Sequence, residues 1–253
     1  MADLQNFPGG VMGKALYIDL THSVIEATRY PTEHAEKYVG GDGLAAKILY
    51  DEMPPGIGAL DPEAVFIISA GPLAGTKVQG AGNYSASAKS PVSGFTVYHS
   101  HSNGSFARKL KAAGYDMVIV KGKASSPSYI YINEDRVEIK DAANLWGIDT
   151  YEVDDLIKKE VAQPEAACIT IGPAGEKLVM MAGIVSDKSH LAGRGGLGAV
   201  MGSKNVKAIV AYGNKEVPIA NKGEFDELSR KWRKTNVEFP MVKDYSNFGT
   251  PCL

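Results

Sequence analysis

Cysteine is nearly missing from this sequence. Cys168 and Cys252 are the only two, they stand far apart, and neither has a C-x-x-C neighbour. That excludes a disulfide framework or a cysteine-built metal site within the chain and leaves Cys168 as a core residue. Charge of one sign is equally scarce: 27 Lys and Arg against 29 Asp and Glu give a formal net charge of −2, which provides no basic face for nucleic acid. No apolar run is long enough to cross a bilayer, and the opening MADLQNFPGG lacks the charged-then-apolar layout of an export signal, so the chain reads as cytoplasmic, without membrane insertion. A hydrophobic share of 44% with 22% charged residues excludes a disordered or fibrous class.

Glycine, by contrast, is abundant and clustered. Twelve of the 28 glycines cluster in GGDG (40–43), GPLAG (71–75), GAG (80–82) and SHLAGRGGLGAVMGSK (189–204). Glycine serves tight turns, and it also lets backbone N–H groups approach a ligand where a Cβ would intervene.

Period-two apolar runs predict strands at 15–20, 24–29, 64–70, 83–88 and 117–122, a hairpin over 128–141 turning at Asn133 to Asp135, and further strands at 168–172, 179–186 and 206–213. Helical periodicity marks 32–39, 43–53 behind a candidate N-cap Asp42, 105–113, and 151–161 behind Thr150. Strands come in pairs and threes rather than in strict alternation with helices, which predicts an α+β fold with mixed sheets. After VPIANKGEF the pattern changes: Asn221 with Glu224 forms a capping box ahead of an amphipathic helix, and no further strand is visible. The expected organisation is a domain over residues 1–215 and the start of an all-helical one over 216–253, too short to bury a core of its own.

The first domain contains an echo. IISAGPLAGTKV (67–78) and TIGPAGEKLV (170–179) each run from a strand end into a GP turn and a lysine. SHSNG (100–104) and SHLAG (189–193) share S-H-x-x-G, and strands MVIVKGK and KAIVAYGNK follow. Duplication predicts two similar sheets about a pseudo-twofold axis, with the two S-H-x-x-G turns facing each other as equivalent sets of N–H donors. Such a pair suits a ligand with two similar, phosphate-bearing halves, because helix openings favour anions and Arg194 adds a guanidinium fork matched to phosphate. The alternative for Arg194 is a surface salt bridge. GRGGLG (193–198) also matches the dinucleotide fingerprint, but a Rossmann turn needs a long helix and a second strand ending in an acidic residue. Here fewer than two helical turns fit before Val206, and the strand ends Tyr212-Gly213.

AGPLAGT (70–76), AKSPVSGF (88–95), AAGYDMVIVKGKA (112–124), IGPAGE (171–176), AGRGGLGAVMGSKNVKAI (192–209) and VPIA (217–220) together resemble, in order, the N-terminal domain of the tungsten-dependent aldehyde:ferredoxin oxidoreductases. The resemblance spans residues 10 to about 225. It implies a base of two similar sheets carrying a tungsten (or molybdenum) bis-pyranopterin whose phosphates are bridged by Mg2+. By motif position it makes His190, Leu191, Gly193 and Arg194 cofactor contacts in one cradle, His101, Asn103 and Gly104 contacts in the other, and Asn83 the occupant of a place where the family often has arginine. It assigns no catalytic residue or protein metal ligand to this chain. His101 with Asn103 is a one-residue insertion against the family spacing, and Asn83 removes a cation that would link pterin to cluster.

The same resemblance places the cysteines of a [4Fe-4S] cluster and the acid/base residues beyond Leu253. The expectation is therefore one piece of a tungstoenzyme that oxidises an aldehyde or related activated carbonyl. Its helical domains would come from another chain or from sequence not included here, its electrons would pass to a ferredoxin-like acceptor, and a homo-oligomer is compatible with it. A non-catalytic pterin-binding scaffold subunit and an NAD-binding protein are the alternatives.

Overall fold

In the computed structural model, residues 9–249 and 251 are described. The first half runs β1 (Lys14–Asp19), β2 (Val24–Arg29), α1 (Thr32–Tyr38), α2 (Gly41–Glu52), β3 (Phe66–Ala70), β4 (Tyr84–Lys89), β5 (Val97–Ser102), α3 (Phe106–Ala113) and β6 (Met117–Lys121). The second runs β7 (Ser128–Asn133), β8 (Arg136–Asp141), a 3-10 turn, α4 (Thr150–Glu160), β9 (Ala167–Thr170), α5 (Pro173–Glu176), β10 (Ile184–Ser186), β11 (His190–Ala192), α6 (Leu197–Ser203) and β12 (Val206–Tyr212). Helices α7 (Lys222–Glu238) and α8 (Met241–Phe248) follow. Among the described residues no helix is long and apolar enough to cross a membrane.

The halves form two six-stranded mixed sheets of one topology, β2-β1-β6-β3-β4-β5 and β8-β7-β12-β9-β10-β11. In each, an opening hairpin is antiparallel, its first strand pairs parallel with the last strand of the half (β1 with β6, β7 with β12), and every other pairing is antiparallel. The duplication thus reaches further than the repeated motifs. It includes the hairpins at 14–29 and 128–141, whose sequences have little in common.

Period-two alternation decides which side chains meet. Leu16, Ile18, Phe66, Ile68, Val118 and Val120 of the first sheet share one buried layer with Ile130, Ile132, Ile169 and Ile209 of the second, together with Phe106 and Leu110 of α3 and Leu197, Val200 and Met201 of α6. The alternate residues face outward. Ile67 and Ile119 pack under Leu44 and Ile48 of α2, and Tyr129, Cys168 and Val210 pack under Val153 and Ile157 of α4. Covered on both faces, β3 is buried throughout, which is why FIISA reads as a continuous apolar run. Burial pushes the Cys168 thiol well above its ordinary value, in keeping with an inert core cysteine; Cys252 lies outside the described residues.

Local details depart from the sequence reading where side chains are recruited elsewhere. The N-cap of α2 is Gly40 rather than Asp42, because Asp42 sits inside the first turn and turns its carboxylate to His101. The N-cap of α4 is Asp149, one residue before Thr150, with its Oδ1 accepting from the N–H of Tyr151 and Glu152. The strand expected over 179–186 forms only from Ile184, and Met180 and Met181 lie exposed in the preceding turn. The Asn221–Glu224 box forms as expected, Asn221 Oδ1 accepting from the Glu224 N–H at 3.2 Å. Helix α7 docks on the first half through Trp232 Nε1–H to the Gln79 carbonyl, 3.1 Å, and the Lys77–Asp226 ion pair.

Three of the four lysines buried among the described residues pin loops to the sheets. Lys111 pairs with Asp116, which accepts from the N–H of Met12 and Gly13 and the hydroxyl of Tyr30. Lys207 pairs with Glu176 and donates to the Ile148 carbonyl. Lys204 differs, since its ammonium donates to the carbonyls of Pro62 (3.0 Å) and Gly122 (3.2 Å) and forms no ion pair with a carboxylate among the described residues. Burial pulls its pKa down to about 8. The unfolded side chain keeps its proton to about 10.5. Between those values the unfolded chain holds a proton the folded one has released, so the contribution of Lys204 to stability rises with pH. In denaturant titrations, the unfolding free energy of the wild type relative to Lys204→Met is expected to climb from pH 8 to pH 10.5; a flat difference contradicts this account.

Candidate functional site

The edge strands β5 and β11 lie against one another, and the loops that leave them interlock. After β5 the chain turns through Asn103, Gly104 and Ser105 into α3; after β11 it turns through Gly193 to Gly196 into α6. Each turn is held by the opposite half. The Arg194 N–H donates to Ser100 Oγ at 3.0 Å, and Ser90 Oγ donates to the Gly195 carbonyl at 2.8 Å. In the other direction Ser186 Oγ donates to the Asn103 carbonyl at 2.7 Å, and the Asp187 carboxylate accepts from both the N–H and the hydroxyl of Ser105.

Between the strands opens a cavity of about 520 Å3 lined by His99, Ser100, His101, Leu191, Gly193 and Arg194. Four residues singled out from the sequence, His101, Leu191, Gly193 and Arg194, meet there. His190 is next to them on β11, its Nδ1 3.2 Å from Ser189 Oγ. Asn83, Asn103 and Gly104 form a neighbouring group outside the cavity wall: a Cβ on Gly82, beside Asn83, would stand 3.6 Å from the Gly104 carbonyl and 3.9 Å from Asn103 Oδ1. Asn83 and Asn103 are both exposed.

The Arg194 guanidinium forms no ion pair with any described residue, so the surface salt bridge weighed for it is not made. An exposed, unpaired cation at the mouth of a cavity suits an anionic group such as a phosphate. In the wider cleft beside α7, Lys77 pairs with Asp226, Lys109 with Glu165 and Lys215 with Glu134 and Asp135, while Arg108 and Lys222 line it with no ion pair among the described residues.

Equivalence of the two turns, expected from the repeated motif, does not hold. Asp187 already occupies the Ser105 donors, whereas the second turn carries Arg194. Several partners escaped the sequence reading. Asp42 Oδ2 lies 2.5 Å from His101 Nε2, and Ser87 Oγ lies 2.7 Å from His99 Nδ1. The alternation H-x-H at 99 and 101 is the signal that would have found β5, since two histidines two apart share one face of a strand.

The glycines of GRGGLGAVMG serve mainly packing. Gly195 and Gly196 adopt φ of +70° and +71°, and a Cβ on Gly196 would stand 1.9 Å from the Met180 carbonyl oxygen. On α6, a Cβ on Gly198 would meet the Gly183 carbonyl at 2.3 Å, and one on Gly202 the Gly175 carbonyl at 2.1 Å. Strands β11 and β12 are not neighbours in the sheet, so no Rossmann unit is formed. Only Gly193 of the group lines the cavity.

The family model of the aldehyde ferredoxin oxidoreductase N-terminal domain matches residues 15–213. A relative, the tungsten-containing aldehyde ferredoxin oxidoreductase of Pyrococcus furiosus, is 45% identical over 216 residues, 85% of this chain and 36% of the relative. The WOR-like subunit of an aliphatic sulfonate oxidoreductase from the same organism is 37% identical over 238 residues, 88% of this chain and 38% of that protein. Among solved structures, the active-site complex BamBC of benzoyl coenzyme A reductase with 1,5 dienoyl-CoA is similar with a TM-score of 0.88 and 38% identity, covering 92% of this chain and 36% of the other. The chain therefore spans well under half the length of these relatives.

The glycine geometry separates folding from binding. Gly196→Ala is expected to cost several kcal/mol, on the order of a backbone clash combined with left-handed strain. Gly193→Ala, whose Cβ would meet only the flexible Leu191 side chain at 3.0 Å, should fold with nearly unchanged stability. Thermal unfolding of the two variants checks this; equal losses would refute it.

Proposed function

Because the chain belongs to the aldehyde ferredoxin oxidoreductase family, as its N-terminal domain, we propose that residues 1–215 form the pterin-binding base of a tungsten-pterin oxidoreductase and that 216–253 begin its helical part. The observation that carries this reading is the cavity between β5 and β11, where Arg194, with no carboxylate partner among the described residues, stands in one of two turns held by hydrogen bonds between the halves. Arg194 would neutralise phosphate, a charge-assisted contact of about 1.5–3 kcal/mol. Gly193 leaves room for a close approach, Leu191 would give the cavity an apolar wall, and His101, oriented by Asp42, offers its ring edge. His190, Asn83, Asn103 and Gly104 complete the surroundings.

A tungsten (or molybdenum) bis-pyranopterin bound there supplies the two-electron chemistry, and the protein supplies placement and electrostatics. In the complete protein, aldehyde and water would become carboxylic acid, releasing two protons and two electrons. That complete protein would also hold a [4Fe-4S] cluster and Mg2+, and a ferredoxin-like acceptor would take the electrons. The relatives' names concern an aldehyde, an aliphatic sulfonate and a dienoyl-CoA. Choice of substrate thus belongs to parts of the protein other than this shared base.

In the full-length protein from a tungstate-fed source, Arg194→Gln should lower tungsten and pterin content at least tenfold while the fold is retained, read by elemental analysis and pterin fluorescence. Undiminished content overturns the reading, and full pterin without aldehyde turnover in the wild type marks a binding scaffold instead of an enzyme.

A further inference from the structure

Mirrored turns would be expected to carry like partners, yet the first is closed by a carboxylate and the second opens with a guanidinium. Asp187 stands in the turn between β10 and β11, where it and Lys188 both adopt left-handed backbone, φ +46° and +64°. Two successive non-glycine residues in that region are uncommon and persist where surrounding structure fixes them. Ser189 N–H closes the turn onto the Asp187 carbonyl at 2.8 Å. The shape aims the Asp187 carboxylate across the boundary between the halves. Its Oδ2 accepts from the Ser105 N–H at 2.5 Å and its Oδ1 from the Ser105 hydroxyl at 3.0 Å, at the opening of α3. Ser186, one residue earlier, holds the Asn103 carbonyl at 2.7 Å. Gly104 between them has φ +112°, and a Cβ there would stand 2.6 Å from Asp187 Oδ2, so the fit leaves no room for a side chain.

We infer that Asp187 is a positioning residue for the candidate site. Its carboxylate takes the N–H and hydroxyl donors of Ser105 in the first turn, beside the Asn103 carbonyl that Ser186 holds, and so leaves Arg194 as the cation that meets the phosphate end of a ligand in the cavity between β5 and β11. This deepens the proposed function, since the direction matters only if the cavity receives a phosphate-bearing cofactor. The electrostatics agree: the exposed N–H groups at a helix opening favour negative charge, and here the protein provides that charge itself.

The test uses the full-length protein with its cofactor removed and inorganic pyrophosphate as probe. Asp187→Ala should speed amide exchange at Ser105 on the order of tenfold or more. Added formate, which fills the vacated carboxylate position, should slow it again while leaving the wild type unaffected. Pyrophosphate binding by calorimetry should vanish in Arg194→Gln and reappear in the double variant Asp187→Ala/Arg194→Gln, because the first turn has become available; a protein merely loosened by mutation would not gain a site. If Asp187→Ala does not fold, Asp187→Gly, which suits the left-handed backbone and likewise vacates the carboxylate position, is read in the same two ways. Unchanged Ser105 exchange, or a double variant that binds no pyrophosphate, overturns the proposal. Amide exchange reports on Asp187 whatever the cavity holds, so loss of the cofactor reading through retained tungsten in Arg194→Gln would be seen separately.

Discussion

Everything near the cavity depends on two sheet edges, β5 and β11, being held together by a core to which both halves contribute. Phe66 and Ile68 from one sheet and Ile169 and Ile209 from the other share one apolar layer, with α3 and α6 inside it. Close packing of this kind has low compressibility. The loops leaving the edge strands therefore inherit a fixed separation, and only then can hydrogen bonds between them, from Ser90, Ser100, Ser186 and Asp187, set their shape. A site made from glycine turns, the most permissive backbone available, is rigid here because neither turn supports itself.

Symmetry of fold and asymmetry of chemistry coexist. Strand order and direction repeat strand for strand between the halves, yet the first turn ends in an internal carboxylate contact and the second in an unpaired cation. Topology is dictated by the alternation of apolar residues and tolerates wide sequence change. Charge at a turn depends on one residue, so it diverges freely once the backbone is fixed. The opening region of each half shows the same freedom, with α1 and α2 over the first sheet where the second has only α4.

Much of this was legible in the sequence. Runs such as ALYID and VKAIVAY declared themselves as strands through β-branched and aromatic alternation, and the turn of the 128–141 hairpin fell where expected. Strands β5 and β11 did not, because the Ser and His of VYHSHS break its apolar alternation and HLA is too short to show a period, and both are held by their neighbours and by the other half. Asp42 read as a helix cap since a short acidic side chain before an apolar run usually is one; a histidine 59 residues away recruited it instead. The gathering of His101, Leu191, Gly193 and Arg194 could be anticipated from repeated motifs. The identities of Ser100, Ser186 and Asp187 as their supports could not, because those contacts join residues 82 to 94 positions apart and carry no periodic signal.

One feature of the glycine-rich segment reaches beyond the cavity. Lys204, at the end of α6, places its ammonium on carbonyls of Pro62 and Gly122, both in the first half. The same helix touches α5 backbone to backbone through Gly202. The segment is thus also a tether: its terminal lysine is the clasp that fastens the second half onto two loops of the first.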